Sequence, residues 1–142
     1  THYLIANNHS KPQSQLLIYP MCDPSCSSES HTLFEENYLL TKKAMIWFWD
    51  KLINSKDNID DGYLNLMKVN LENKLPKTII VTAGFDPLSD EAEKYAYLLH
   101  EKGNNVKQLH YPSMFHGFAS MTRLNSAKIA VVDFLTEYKK IL

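Results

Sequence analysis

The fold is decided by the stretch TIIVTAGFDPLSDE, which occupies residues 78–91. Its first half, Thr78 to Ala83, is a short apolar run that predicts a buried β-strand. Its second half predicts the start of a helix, because Ser89 can cap the first turn and the acidic residues after it favour the positive end of a helix. Gly103 fits the end of that helix. A strand followed by a helix in this way is the unit from which parallel sheets are built.

Two more strand and helix pairs flank this unit. Upstream, the apolar run at residues 16–19 predicts a strand buried on both faces, and a helix is predicted to begin at Thr41. Downstream, residues 106–111 predict a strand that Pro112 closes and whose polar composition is typical of a sheet edge. A last helix is predicted at about residues 125–138. This order predicts an α/β fold with three mostly parallel strands and flanking helices.

Length and charge exclude several classes of function. The 142 residues suit one domain or part of one. With 15 basic and 16 acidic side chains the net charge is −1, and the sequence contains no block of like charge. Apolar runs are far shorter than the roughly 20 residues that a membrane helix needs. We therefore expect no nucleic-acid partner and no membrane span.

Cysteine is used sparingly. Cys22 and Cys26 are the only two, four residues apart, with His31 as a conceivable third metal ligand. A metal site, a local disulfide and two ordinary thiols are the open alternatives, and the ordinary thiols are favoured because a structural zinc site closes with four ligands. We expect no metal and no cofactor, and a cytoplasmic protein.

Asp86 and His116 are the candidate catalytic residues. Asp86 follows the second predicted strand and His116 follows the third, so both belong to the edge of the sheet where the parallel strands end. A carboxylate there can fix the tautomer of an imidazole, and the imidazole can take the proton of a serine. Two plainer interpretations stay open: Asp86 caps a helix that begins at Pro87, and His116 is a packed loop histidine.

The nucleophile that such a pair serves is not found in this sequence. It would lie on a strand-to-helix elbow of the form G-x-S-x-G, and no such motif occurs in residues 1–142. Ser89, Ser113 and Ser120 lie near the candidate residues, and we expect them to be capping or solvated serines.

Several ordered stretches resemble the hormone-sensitive-lipase-like branch of the α/β-hydrolase esterases. They are LIYP at 17–20, LT at 40–41, WFWD at 47–50, GFDPLSDE at 84–91 and YPSMFHGF at 111–118. The resemblance implies a carboxylic-ester hydrolase with Asp86 as the acid and His116 as the base of a Ser-Asp-His triad. It also implies that the serine and the oxyanion loop of the family lie upstream of Thr1.

On this resemblance, residues 1–142 are the C-terminal part of an α/β-hydrolase domain. Residues 23–75 are expected to form a loop and helix insertion beside the substrate pocket. Met45, Phe48 and Trp49 share one face of the predicted helix and could form an apolar wall for a small-molecule ester, although such a stripe is more often part of a protein core.

Two hypotheses follow. In the first, the chain is the acid-and-base half of a serine esterase and is inactive alone. In the second, it is a catalytically dead truncated half-domain that acts as a binding or assembly module. In both, the strand at residues 16–19 has an open edge, so we expect it to be covered by the missing N-terminal half or by self-association.

Overall fold

A computed structural model of the chain describes residues 1–53, 59–72 and 74–142. The strands are β1 at Ser14–Ile18, β2 at Lys77–Phe85 and β3 at Val106–Phe115. The helices are α1 at His2–Ala6, α2 at Glu29–Leu33, α3 at Lys42–Leu52, α4 at Ser89–Glu101 and α5 at Asn125–Lys139. Short 3₁₀ turns lie at Leu66–Lys68 and Phe118–Ser120.

The three strands form one sheet in the order β1-β2-β3, and both pairs are parallel. Leu17 of β1 lies opposite Ile80 of β2, and Val81 of β2 lies opposite Leu109 of β3. Residues 78–83 of the central strand are all buried. The prediction of three parallel strands with flanking helices is therefore confirmed.

Helices cover both faces of the central strand because successive side chains of a strand point to opposite sides. On one face, Ile79 and Val81 belong to a cluster with Phe134 of α5. On the other face, Ile80 belongs to a cluster with Ala92 and other residues of α4. The sheet is thus the middle layer between α4 and α5.

The third strand is longer than predicted. It continues through Pro112 to Phe115, and its register with β2 shifts between Ala83 and Phe85. Proline is tolerated at such an irregularity because its missing N–H is not needed there. Gly84 lets the backbones of β2 and β3 lie close together here, since a Cβ atom built on it would lie 2.1 Å from the carbonyl oxygen of Pro112. The prediction that Pro112 ends the strand is wrong.

The predicted helix beginning at Thr41 is confirmed, since the Thr41 hydroxyl accepts the backbone N–H of Ala44 at 3.2 Å at the start of α3. The cap predicted for Ser89 is wrong: its hydroxyl donates to the carbonyl of Asp86 at 3.0 Å. The predicted end of α4 is correct, because Gly103 has a left-handed φ of 69° and its N–H bonds to the carbonyl of His100.

The segment between β1 and β2 holds α2, α3 and one 3₁₀ turn. Of the predicted insertion at residues 23–75, residues 54–58 and 73 lie outside the described part, and its position beside a pocket stays a prediction. Helix α2 was not expected, because its sequence is polar. Across the described ranges, no helix is both long and apolar enough to cross a bilayer.

Strand β1 differs from its predicted environment. Residues 15–18 are half-buried rather than buried on both faces. Within the described residues β1 pairs only with β2, so its other edge carries no strand. The apolar composition of β1 is typical of an interior strand, but the strand lies at the edge of this sheet, and its residues are therefore only half-buried.

Replacing Gly84 by alanine should lower the free energy of unfolding by about 3 kcal/mol, since a methyl group would force the backbones of β2 and β3 apart. Gly103→Ala is the matched control. It meets only the flexible end of Lys74 and should cost about 1 kcal/mol through its left-handed φ. Urea unfolding measures both, and equal losses would contradict the close approach at Pro112.

Candidate active site

The candidate acid and base follow directly from the ends of neighbouring strands. Asp86 comes after Phe85, the last residue of β2, and His116 comes after Phe115, the last residue of β3. The backbone N–H of His116 donates to the carbonyl of Phe85 at 3.3 Å. Because the two strands are parallel, both side chains lie at the same edge of the sheet.

The two side chains are hydrogen-bonded. His116 Nδ1 lies 2.8 Å from Asp86 Oδ2. The Asp86 side chain is fully buried, and the His116 side chain is 23% exposed. An ionised carboxylate only accepts hydrogen bonds, so Nδ1 carries the proton and Nε2 is left as the basic nitrogen.

The second oxygen of Asp86 also has a partner. Oδ1 accepts the backbone N–H of Leu88 at 2.9 Å, immediately before α4 begins at Ser89. The interpretation of Asp86 as the cap of a helix that begins at Pro87 is wrong, because α4 begins at Ser89 and Leu88 is its N-cap. One oxygen of Asp86 instead organises the turn before the helix, and the other is bonded to His116. Since both oxygens are bonded, rotation of the carboxylate is restrained.

A sharp turn follows His116. Gly117 has a φ of 82°, a left-handed conformation that glycine adopts without strain. Phe118, the next residue, is 1% exposed and packs in the cluster with Phe134 of α5. The buried ring anchors the loop and leaves the imidazole at the surface.

None of the three nearby serines occupies a strained elbow. Ser89 and Ser120 use their hydroxyls on backbone carbonyls, Ser120 on that of Gly117 at 2.8 Å. Ser113 is exposed and lies in β3. Ser113 and Ser120 are exposed, as expected of solvated serines, whereas Ser89 is buried and does not cap α4.

The residues predicted to form an apolar wall do not share one environment. Met45 and Trp49 are buried in a cluster with Leu88, two residues after Asp86. Phe48 is 45% exposed, with its ring centroid 5.2 Å from that of Trp47. The packing therefore joins α3 to the loop of the candidate acid, and contact with a substrate stays a prediction.

Sequence reasoning missed a buried pair beside this loop. His31, which the sequence offered only as a conceivable metal ligand, is 0% exposed, and its Nε2 lies 3.7 Å from Glu91 Oε2. His31 Nδ1 is hydrogen-bonded to the hydroxyl of Ser28 at 2.8 Å. Glu91 Oε1 accepts the backbone N–H of Cys22 at 2.6 Å. A signal was available, because Glu91 falls on the buried stripe of α4.

Burial shifts both titrations towards the neutral forms. It raises the pKa of Glu91 to about 8, although the N–H groups of Cys22 and Asp23 favour the ionised carboxylate. Burial also lowers the pKa of His31, and the charge of Lys42 acts in the same direction. At neutral pH these shifts favour a protonated, uncharged Glu91 beside an uncharged His31.

Helix α2 is fixed to the start of α4 by a second contact. The Ser30 hydroxyl donates to the carbonyl of Pro87 at 2.7 Å, and the Ser30 N–H donates to Asp90 Oδ2 at 2.7 Å. Pro87 is the residue after the candidate acid. Together, Ser30 and Glu91 tie α2 and the turn after β1 to the start of α4, next to the loop of Asp86.

The two cysteines are free and buried. Burial, and then the charge of Glu91, raises the pKa of Cys22 and raises that of Cys26 to about 11. Both are therefore thiols at neutral pH. Among the described residues no group of three or more histidine, cysteine or acidic side chains could hold a metal ion.

Comparisons with known proteins identify a family and several similar ester hydrolases. The family described as the alpha/beta hydrolase fold matches residues 1–120. The carboxylic ester hydrolase LipN of Mycobacterium tuberculosis is 34% identical over 121 residues, which cover 84% of this chain and 32% of LipN. The ethyl acetate hydrolase of Pseudomonas putida is 30% identical over 132 residues, which cover 89% of this chain and 41% of that protein.

Solved structures agree. A fungal esterase of Rhizomucor miehei superposes with a TM-score of 0.87 at 29% identity, covering 99% of this chain and 44% of that chain. The chain thus spans between about a third and less than half of the length of these similar proteins.

Stability should depend on pH through Glu91. Because folding raises its pKa from 4.5 to about 8, the folded state keeps a proton that the unfolded state releases in this window. The free energy of unfolding should therefore fall as pH rises from 4.5 to about 8, by at most about 1.4 kcal/mol per pH unit from this group. Glu91→Gln should remove this slope, as measured by urea unfolding across the window.

His31 acts in the opposite direction, because its lowered pKa costs stability as pH falls below 6.5. In the Glu91→Gln variant this opposite slope should remain. A variant that keeps the falling slope of the wild type would show that another group causes it.

Proposed function

This chain belongs to the alpha/beta hydrolase fold family, and from this premise we propose that it supplies the acid and the base of a carboxylic-ester hydrolase. Asp86 is the acid and His116 is the base of a Ser-Asp-His triad. The observation that carries the proposal is the 2.8 Å hydrogen bond between them at the edge where the strands end. The similarity to LipN and to the ethyl acetate hydrolase supports the reaction class.

In the proposed reaction, a serine hydroxyl attacks the ester carbonyl while His116 Nε2 takes its proton. Asp86 stabilises the imidazolium through Nδ1–H and keeps the ring in the productive tautomer. When the tetrahedral intermediate collapses, the C–O bond to the alcohol breaks and Nε2 returns the proton to the leaving oxygen. Water then attacks the acyl-enzyme by the same proton transfers, which releases the acid and restores the serine.

The serine and the oxyanion donors come from a part of the protein outside these 142 residues. No G-x-S-x-G motif occurs in the chain, and in this fold the nucleophile precedes the acid and the histidine. The short coverage of the similar proteins supports this arrangement. We therefore propose that residues 1–142 alone do not hydrolyse esters.

The proposed substrate is a small-molecule ester. Met45 and Trp49 would back the apolar part of its pocket through Leu88, and the exposed Phe48 would contact it directly. The free thiols of Cys22 and Cys26 are compatible with a reducing compartment, and we propose the cytoplasm.

A decisive test compares the 142-residue chain with the natural, cell-derived protein on p-nitrophenyl acetate and butyrate. The chain alone should show no turnover, and the natural protein should show turnover that a serine-directed phosphonate abolishes. In the natural protein, Asp86→Asn should lower kcat by about 10⁴-fold, because the amide would favour the wrong imidazole tautomer.

Asp50→Asn, at an exposed position of α3, is the matched control and should leave turnover unchanged. Phosphonate-insensitive hydrolysis, or full activity of Asp86→Asn, would contradict the triad. A natural protein without turnover would favour the alternative of a binding or assembly module.

The open edge of β1 should make the isolated chain associate with itself or with the rest of the hydrolase sheet, because unpaired strand edges are templates for pairing. Sedimentation velocity of the isolated chain should show species of twice the monomer mass or more that grow with concentration. A monomer at every concentration, with cooperative unfolding, would contradict this expectation.

A further inference from the structure

Tyr19 continues the line of β1 by one residue and then turns sharply. Its backbone N–H donates to the carbonyl of Val81 at 2.7 Å, which ties it to the central strand. Its φ is 37°, in the left-handed region that side chains other than glycine and asparagine rarely adopt. Such a conformation persists only where the surroundings hold it.

The side chain of Tyr19 makes two ring contacts with the loop of the candidate base. Its ring centroid lies 4.4 Å from that of His116, with an angle of 54° between the planes. Its ring also packs edge-on against Phe118, with centroids 5.9 Å apart. One side chain therefore braces the turn from His116 to Phe118.

We propose that Tyr19 is a positioning residue for His116, whose ring it contacts at a tilted angle while Asp86 holds Nδ1. The inference deepens the proposed function, since it rests on His116 as the base. A hydrogen bond to Nδ1 alone leaves the imidazole free to rock about that bond. The Tyr19 ring blocks this motion from one side and keeps Nε2 aimed at one place.

The contact between Tyr19 and His116 also stabilises the positive charge that His116 gains during the proposed reaction. During catalysis His116 becomes an imidazolium, and the electron-rich face of an aromatic ring attracts a cation at this range. Asp86 supplies the stronger, directional stabilisation through its hydrogen bond. Tyr19 adds a weaker attraction, which increases only when His116 is protonated. This attraction therefore stabilises the transition state more than the resting enzyme.

The turn after Tyr19 is held at its far end by the buried pair. Glu91 Oε1 accepts the N–H groups of Cys22 and Asp23, at 2.6 and 3.2 Å. The segment between Tyr19 and Asp23 is thus fixed to β2 at one end and to α4 at the other. This explains how an unfavourable φ is maintained at Tyr19, and it gives the Glu91–His31 pair a role in placing the ring.

The test separates the ring from the backbone conformation. Tyr19→Phe keeps the ring, and Tyr19→Asn removes the ring but tolerates a left-handed φ. In ¹H–¹⁵N spectra of the folded chain, the Nδ1 proton of His116 reports the bond to Asp86, and Asp86→Asn identifies that signal by removing it. Exchange of this proton with solvent should be about 5- to 30-fold faster in Tyr19→Asn and unchanged in Tyr19→Phe.

Tyr97→Asn is the matched control, because Tyr97 is 62% exposed on α4, and it should leave the exchange rate unchanged. If Tyr19→Asn unfolds, Tyr19→Leu, which fills the space without an aromatic face, is measured and should show the same acceleration. Equal exchange in the wild type and the ring-less variant would overturn the proposal, and so would equal acceleration in Tyr19→Phe.

In the natural protein the ring-less variant should lower kcat by about 5- to 30-fold with little change in KM, since Tyr19 supports the base rather than the substrate. The spectroscopic result does not depend on ester hydrolysis. An absence of turnover would therefore count against the proposed function, while the exchange rates alone decide the role of Tyr19.

Discussion

The buried carboxylate of Asp86 is the contact on which the rest of this structure depends. One oxygen accepts the N–H of Leu88 and sets the turn into α4, and the other accepts Nδ1 of His116 at the end of β3. A carboxylate with both oxygens engaged and no exposed surface is costly to bury unless each bond is made. The loop after β2, the start of α4 and the loop after β3 must therefore all be in place together.

Three further contacts help to hold these loops and the start of α4 in place. Gly84 lets the backbones of β2 and β3 approach closely just before the two loops. Ser30 holds the carbonyl of Pro87 from α2. The neutral Glu91–His31 pair ties the turn after β1 to α4, and burying it without net charge avoids the larger cost of an isolated buried ion.

The sequence was sufficient for the elements with strong local signals. Residues 78–83 form an apolar run and Gly103 a helix stop, and both lie where they were predicted. Asp86 and His116 could be brought together because strand order alone decides which loops share an edge. Pro112 misled the prediction because only the pairing with Gly84 shows that a proline fits there. The burial of Glu91 could have been read from its place on the buried stripe of α4, but its pairing with His31 could not, because the two residues lie 60 positions apart in the sequence.

In the proposed enzyme, this chain orients the base, and the rest of the protein supplies the serine. The contacts of His116 with Asp86 and Tyr19 are made within this chain, so in the proposed enzyme the base is oriented before any nucleophile arrives. In that proposal, the rest of the sheet adds strands along the open edge of β1 and brings a serine hydroxyl to Nε2. A slip of one residue along a strand displaces the partner by about 3.3 Å, whereas a hydrogen bond tolerates only a few tenths of an ångström. In the proposed enzyme, the register of the pairing at β1, far more than the strength of the association, therefore determines whether the triad is complete.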